Sequence, residues 1–271
     1  MVMSEEIKNI SFNDALNMLD SVSKESFVTD AWVPSLNRSV KIKEITAKQQ
    51  KTILESAIDS AVSKSTFGKV FFDIITANCL EDKNIVENLT IADKASIAFV
   101  MRSQISNTIK VIFKEDPKVE SKISLDNILS KFSEYVHPTS EILEVSKNGV
   151  NISTEISLPT ISDEFKFDSF LYGKKAKEDQ VEEAKEIITS AFLGEAAKYI
   201  KEITIDGTPL GYSGLGIAQK LMFVEKLSAT LVQKILEKII AWKSDLDKIY
   251  TVNHEGIDKV IEIDNLLFLS N

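Results

Sequence analysis

Apolar and polar positions alternate along this chain in short, well-bounded stretches, and the clearest runs from Val40 to Thr66. Val40 and Ile42 alternate with Lys41 and Lys43, the period of two expected of a strand with one face in water. Thr46 follows as an N-cap with Gln49 three residues on, the spacing of a reciprocal capping box, so a helix is predicted from Ala47. Beyond the cap, Ile53, Leu54, Ala57, Ile58, Ala61 and Val62 gather on one face, and Lys48, Gln50, Lys51, Glu55 and Asp59 take the other. Such a helix is stable only when its apolar face packs against something else.

The same reading extends along the chain. Phe12, Ala15, Leu16 and Leu19 behind Ser11 predict a first helix, either a docking arm or an ordinary packed helix. Trp32-Val33-Pro34-Ser35 breaks regular structure, because proline lacks an amide donor. Phe67, Val70, Phe71, Ile74 and Ile75 predict a second helix reaching Cys79. A third starts at Thr90, with Asp93 in box-like spacing, and carries Phe99, Arg102 and Ile105. Ile109, Val111 and Phe113 predict a strand stopped by Glu115-Asp116-Pro117. Ser124 and Asp126 open a short helix through Phe132 that His137-Pro138 closes.

Asn148-Gly149, between Ile142 to Lys147 and Val150 to Ile156, predicts a hairpin with a type I′ turn, since both residues tolerate positive φ. Ser162 is placed as the cap of a short helix through Phe165. A charged run at 172–183 leads into a long amphipathic helix from Val181 to Ile200, with Gly194 as its weak point. Ile203 to Gly207 reads as strand and turn. Two helices follow, one around Leu221, Val224 and Leu227 and one from the Ser228 cap through Leu231, Ile235, Ile239, Trp242 and Leu246. Alternation from Val260 to Asp264 and the apolar run Leu266 to Leu269 predict a buried terminal strand.

These elements predict an α+β fold, predominantly α-helical, with amphipathic helices, a few short strands and a central β-hairpin. The strongest boundary lies between Lys114 and Lys122, and a weaker one near Tyr172 to Lys177. Three units are expected: 1–118, helical with flanking strands; 119–171, a short helix and the hairpin; and 172–271, helical with a terminal strand. No internal repeat or sustained heptad is present.

Composition narrows the function classes. The 271 residues are 44% hydrophobic and 27% charged, as in a folded globular protein. Acids outnumber bases 41 to 32 for a net charge of −9, which argues against nucleic-acid binding. The arginines are Arg38 and Arg102 alone, so the planar fork that clamps phosphate is scarce. Cys79 has no cysteine partner for a disulfide or a cysteine zinc site. The acidic start MVMSEEIKNISF lacks the pattern of a secretory signal, and SIAFVM is far short of the roughly 20 apolar residues of a membrane helix.

The candidate chemistry is thin. Gly211, Gly214 and Gly216 in GYSGLG invite a phosphate-loop reading, but the spacing fits neither nucleotide fingerprint, and a flexible connection is expected instead. Cys79 with His137 as nucleophile and base is set against a buried inert thiol. His137 and His254 alone cannot hold a metal. No catalytic, cofactor or metal residues are assigned, no cofactor or small-molecule substrate is expected, and the chain is read as not an enzyme.

Several ordered segments carry a resemblance. VKIKEITAKQQKTILESAID, FFDIITANCLE and LTIADKASIAFVMRSQIS, with SLPTISDEF and AFLGEAAKYIKEITI further on, resemble the baseplate hub and hub-assembly proteins of T-even-like contractile-tailed bacteriophages. The resemblance covers roughly residues 30 to 271 and is strongest at 40 to 110. The longer N-terminal portion and the lysine-rich 172–183 insert depart from a minimal member. The resemblance implies a structural or chaperone-like component of the central tail hub, acting by contacts with other baseplate hub proteins of the same phage. It would be made in the host bacterial cytoplasm and either stay in the virion or leave after assembly. Binding anchors are then sought among Phe12, Trp32, Phe67, Phe71 and Trp242, with Arg102 either pairing with an acid at an interface or packing its stem with its head in solvent. The competing classes are a tail-associated hydrolase using carboxylates and a non-viral helical adaptor.

Overall fold

The computed structural model describes residues 27–56, 63–115, 117–172 and 191–268, with scattered positions between 11 and 18. Of the expected first helix, Asn13, Asp14, Leu16 and Met18 are helical behind Ser11, whose Oγ accepts from the Asp14 N–H at 3.1 Å, and Leu16 and Met18 are exposed; Phe12 and the charged run at 173–183 lie outside the described residues. Strand β1 (Val28–Val33) pairs antiparallel with β2 (Arg38–Lys43), Val33 opposite Arg38 and Val28 opposite Lys43. A 3-10 turn over Pro34–Leu36 joins them, and Asn37 closes it at φ 48°, a left-handed conformation that asparagine tolerates. The break foreseen at Trp32 therefore begins at Pro34, with Trp32 and Val33 still in a strand. Val40 and Ile42 point into the core beside Ala31 and Val33, as the alternation requires.

Helix α1 (Ala47–Glu55) begins at the predicted box: Thr46 Oγ1 accepts from the Gln49 N–H at 3.2 Å, and Gln49 Oε1 accepts from the Thr46 N–H at 2.9 Å. The outer part of its expected stripe, Ala57 to Val62, is outside the described residues. Helix α2 (Ser63–Asn78) buries Phe67, Phe71, Ile74 and Ile75, and α3 (Lys83–Glu87) starts at the Asp82 cap. Helix α4 (Ile91–Ile105) buries residues on every side, from Ala92 to Met101. A helix apolar all round belongs at the centre of a fold. It packs against β1, α5 (Asp126–Phe132) and α6 (Ile161–Tyr172).

Strands β3 (Thr108–Glu115) and β4 (Lys118–Ser124) form a hairpin with a bulge between Ile112 and Lys114, so 114–122 lies within a single hairpin. Strands β5 (Glu141–Lys147) and β6 (Val150–Ile156) form the predicted hairpin, with Asn148 at φ 54° and Gly149 at φ 80°. β7 (Ile200–Ile205) and β8 (Thr208–Pro209) extend it into a four-stranded antiparallel sheet of order β5-β6-β7-β8. Helix α6 is longer than expected. Thr160, not Ser162, caps it through an Oγ1 that accepts from the Asp163 N–H at 3.0 Å, and it runs seven residues past Phe165.

Helix α7 (191–199) leads directly into β7. Helices α8 (Ile217–Lys226) and α9 (Ala229–Ile249) follow, the latter from the expected Ser228 cap, whose Oγ accepts from the Leu231 N–H at 3.2 Å. The terminal strand differs from expectation. β9 (Thr251–His254) and β10 (Ile257–Val260) make a hairpin turned at Glu255 and Gly256, and Asn265–Phe268 is a 3-10 turn. That turn buries Phe268 against Phe71, ring centroids 5.8 Å apart.

The result is a mixed α+β fold of helices and small antiparallel sheets, with no closed barrel among the described residues. One buried cluster draws on all three stretches of chain: Phe99 of α4 meets Phe132 of α5 at 6.1 Å and Tyr250 beyond α9 at 5.8 Å. Sheet edges are guarded by lysines. Lys234 donates to the Glu144 carbonyl at 3.1 Å and Lys259 to that of Ile112 at 2.8 Å, placing charge where another strand would pair. No described helix is long and apolar enough to cross a membrane.

Candidate functional site

The proposed anchors among the described residues serve mainly the chain's own packing. Phe67 and Phe71 stack at 5.5 Å within the core, and Trp242 is buried against Tyr199 at 6.4 Å. Trp32 is partly buried, with its carbonyl accepting from Ser96 Oγ at 2.6 Å. Arg102 is fully buried, against the expectation of a solvated head. Its guanidinium folds back over the end of α4 and donates to the carbonyls of Ser106 at 2.7 Å and Thr108 at 3.0 Å. Cations are favoured at helix C-termini, where carbonyls lack intrahelical partners.

Cys79 and His137 share no hydrogen bond. Cys79 is buried beside β2, where burial pushes its thiol pKa up. The His137 ring lies 3.2 Å from Thr90 Oγ1, which itself donates to the buried Asp93 carboxylate at 2.8 Å. Burial lowers the His137 pKa, with Asp93 opposing.

The glycine-rich loop holds an anion, and that anion belongs to the chain. Glu202 Oε1 accepts from the backbone N–H groups of Ile203, Leu210 and Tyr212 at 3.0, 3.1 and 3.1 Å. Gly211, at φ 67°, permits the turn. Desolvation acts to raise the Glu202 pKa, but these amides outweigh it and hold the carboxyl below its ordinary range.

Among the described residues, a chain of partly buried ion pairs links α4, α6, α7 and α9. Lys94 of α4 pairs with Glu164 of α6. One turn on, Asp168 meets Lys198 of α7 at 3.5 Å, and Lys198 also lies 2.9 Å from Glu195. Glu195 in turn pairs with Lys243 of α9. The spacings are those of helix faces: Glu164 and Asp168 stand four apart, Glu195 and Lys198 three apart. Burial pushes the Asp168 pKa up despite Lys198. Burial presses Glu195 the same way, yet Lys198 and Lys243 together hold it below its ordinary range. Lys198 has its pKa raised, its two carboxylates overcoming desolvation.

Lys94, Glu164, Asp168 and Lys243 of this network line a cleft of about 490 Å³, together with Leu246 and Asp247 of α9, Tyr250 just beyond it and residues 260–264. Phe67, Ile91 and Ala95 add apolar lining. No group of three or more His, Cys, Asp or Glu among the described residues is disposed to hold a metal. Sequence reading missed the cleft: ending α6 near Phe165 left Asp168 outside any element, and Lys94, Glu164, Glu195 and Lys243 share no local spacing. Compared with protein-family models, curated proteins and solved structures, the chain matches none.

Proposed function

We propose that this chain is a structural or assembly component of the central hub of a phage tail baseplate, working in the host cytoplasm by contact with other hub proteins. The family is suggested by the sequence segments quoted above. The observation that carries a binding role is the uneven burial of α8. Ile217, Leu221, Met222, Phe223 and Val224 are all apolar, yet only Val224 is buried, and Met222 stays 63% exposed. Apolar side chains on more than one side of a short surface helix suit a helix covered from both sides. Phe223, 36% exposed, and Met222 are the anchors of this reading. The test is co-expression of the M222D/F223D double variant with the hub proteins of the same phage. Loss of co-purification with an unchanged circular-dichroism melt supports the reading, and undiminished co-purification overturns the role of α8.

A second reading, a carboxylate-based hydrolase, is favoured by one observation: Asp168 and Glu195 flank the same Lys198 ammonium, and their environments push their pKa values apart. Turnover of a glycan by the wild type that is lost in both Asp168→Asn and Glu195→Gln would establish it.

A further inference from the structure

The charges around the cleft are balanced unevenly. Lys94 and Lys243 are committed to Glu164 and Glu195, and Lys198 is shared by Asp168 and Glu195. Asp247 and Glu262, which also line the cleft, have no ion-pair partner among the described residues. Asp247 Oδ1 accepts only from the Tyr250 hydroxyl, at 2.8 Å, and Glu262 is exposed at the rim. Asp245, in the same stretch of α9, is by contrast paired with Lys248 at 2.7 Å.

Asp247 also stands in the last turn of α9, where the carbonyl end of a helix disfavours negative charge. The helix end and the carboxylate therefore place two sources of negative potential side by side. Phe67, Ile91, Leu246 and Ile261 supply apolar lining in the same cleft, and the volume of about 490 Å³ falls within the roughly 300–1,000 Å³ of ligand sites. An occupant that matches both features has an aliphatic stem against this apolar lining and a cationic head reaching Asp247 and Glu262.

We propose that the cleft receives a lysine or arginine side chain presented by a protein partner. The choice of a protein over a free amine rests on the assembly reading above. The chain's net charge of −9 steers a basic partner toward it, and the long stems of these two residues bury readily while their heads stay paired.

The test is an NMR titration of the isotope-labelled full chain with acetyl-Gly-Arg-Gly-amide, its citrulline analogue, and spermidine. Expected are shifts confined to the amides of Asp247 and residues 261–263 with the arginine peptide, none with citrulline, and affinity about tenfold or more weaker in D247N/E262Q. Added salt should weaken the binding only partly, because the site is recessed. Equal response to citrulline, shifts spread over the acidic surface, or unchanged affinity in the double variant would overturn the proposal. Tighter binding of spermidine than of the peptide would overturn the protein-partner assignment. The titration uses no hub protein, so binding here without hub co-purification fails the assembly reading alone.

Discussion

Gly194 of α7 lies directly against Leu171 of α6: a β-carbon at 194 would stand 2.5 Å from Leu171 Cδ1 and 3.4 Å from its Cγ. Glycine in a helix ordinarily costs about 1 kcal/mol relative to alanine, so Gly194→Ala should stabilise a free helix. Here it collides with a buried side chain, and a loss of about 1–2 kcal/mol is expected. In a Leu171→Ala background the collision is gone, and the same substitution should become stabilising. Urea denaturation of the four proteins of this cycle checks the change of sign.

Lys198 is the pivot of the interior charges, only 10% exposed and shared by Asp168 and Glu195. Lys198→Met takes from Asp168 and Glu195 the ammonium they share, leaving Lys243 paired with Glu195 and the more remote Lys94 acting on Asp168. Removing one partner of a buried ion pair typically costs about 3–5 kcal/mol, and a loss at the lower end of that range is expected at neutral pH by denaturant titration. A loss below about 1 kcal/mol would mean that water screens the network.

The two carboxylates should respond to pH in opposite directions. The Asp168 pKa is raised by burial, so its contribution is fully present below the ordinary aspartate range and is lost as pH rises through the folded value. Asp168→Asn should therefore be at least as stable as wild type at pH 7. Glu195 is held below its ordinary value, so its contribution is present above the ordinary glutamate range and is lost as pH falls through the folded value. Glu195→Gln should be less stable at pH 7 and converge with wild type in strong acid. Stability measured across pH for the three proteins separates the two.

Arg102 closes the end of α4 by its bonds to Ser106 and Thr108. Arg102→Met removes both charge-assisted bonds, and a loss of about 3 kcal/mol is expected, since hydrogen bonds to charged groups contribute about 1.5–3 kcal/mol each. Arg102→Lys has one donor point in place of a fork and should recover only part of it. Thermal melts of both variants check the order.

What was legible in the sequence was what is local. The boxes at Thr46–Gln49 and Thr90–Asp93 and the turn at Asn148-Gly149 depend on residues a few positions apart, and all three appear as read. Strand β1 was missed because Val28-Thr29-Asp30-Ala31 lacks clean alternation, and the β9–β10 turn because Glu255 is an unusual residue at φ 50°. Arg102 was legible in principle, standing four residues before Ser106 at the helix end. The cleft was not, because Lys94, Glu164, Glu195 and Lys243 come together only when four helices pack.

The proposed hub role is tested most directly by co-expression with candidate baseplate hub proteins, read by size-exclusion chromatography with mass spectrometry. A stable complex burying more than about 1,000 Å² is predicted. A monodisperse monomer that passes every hub component by, and that turns over a glycan through Asp168 and Glu195, would contradict it.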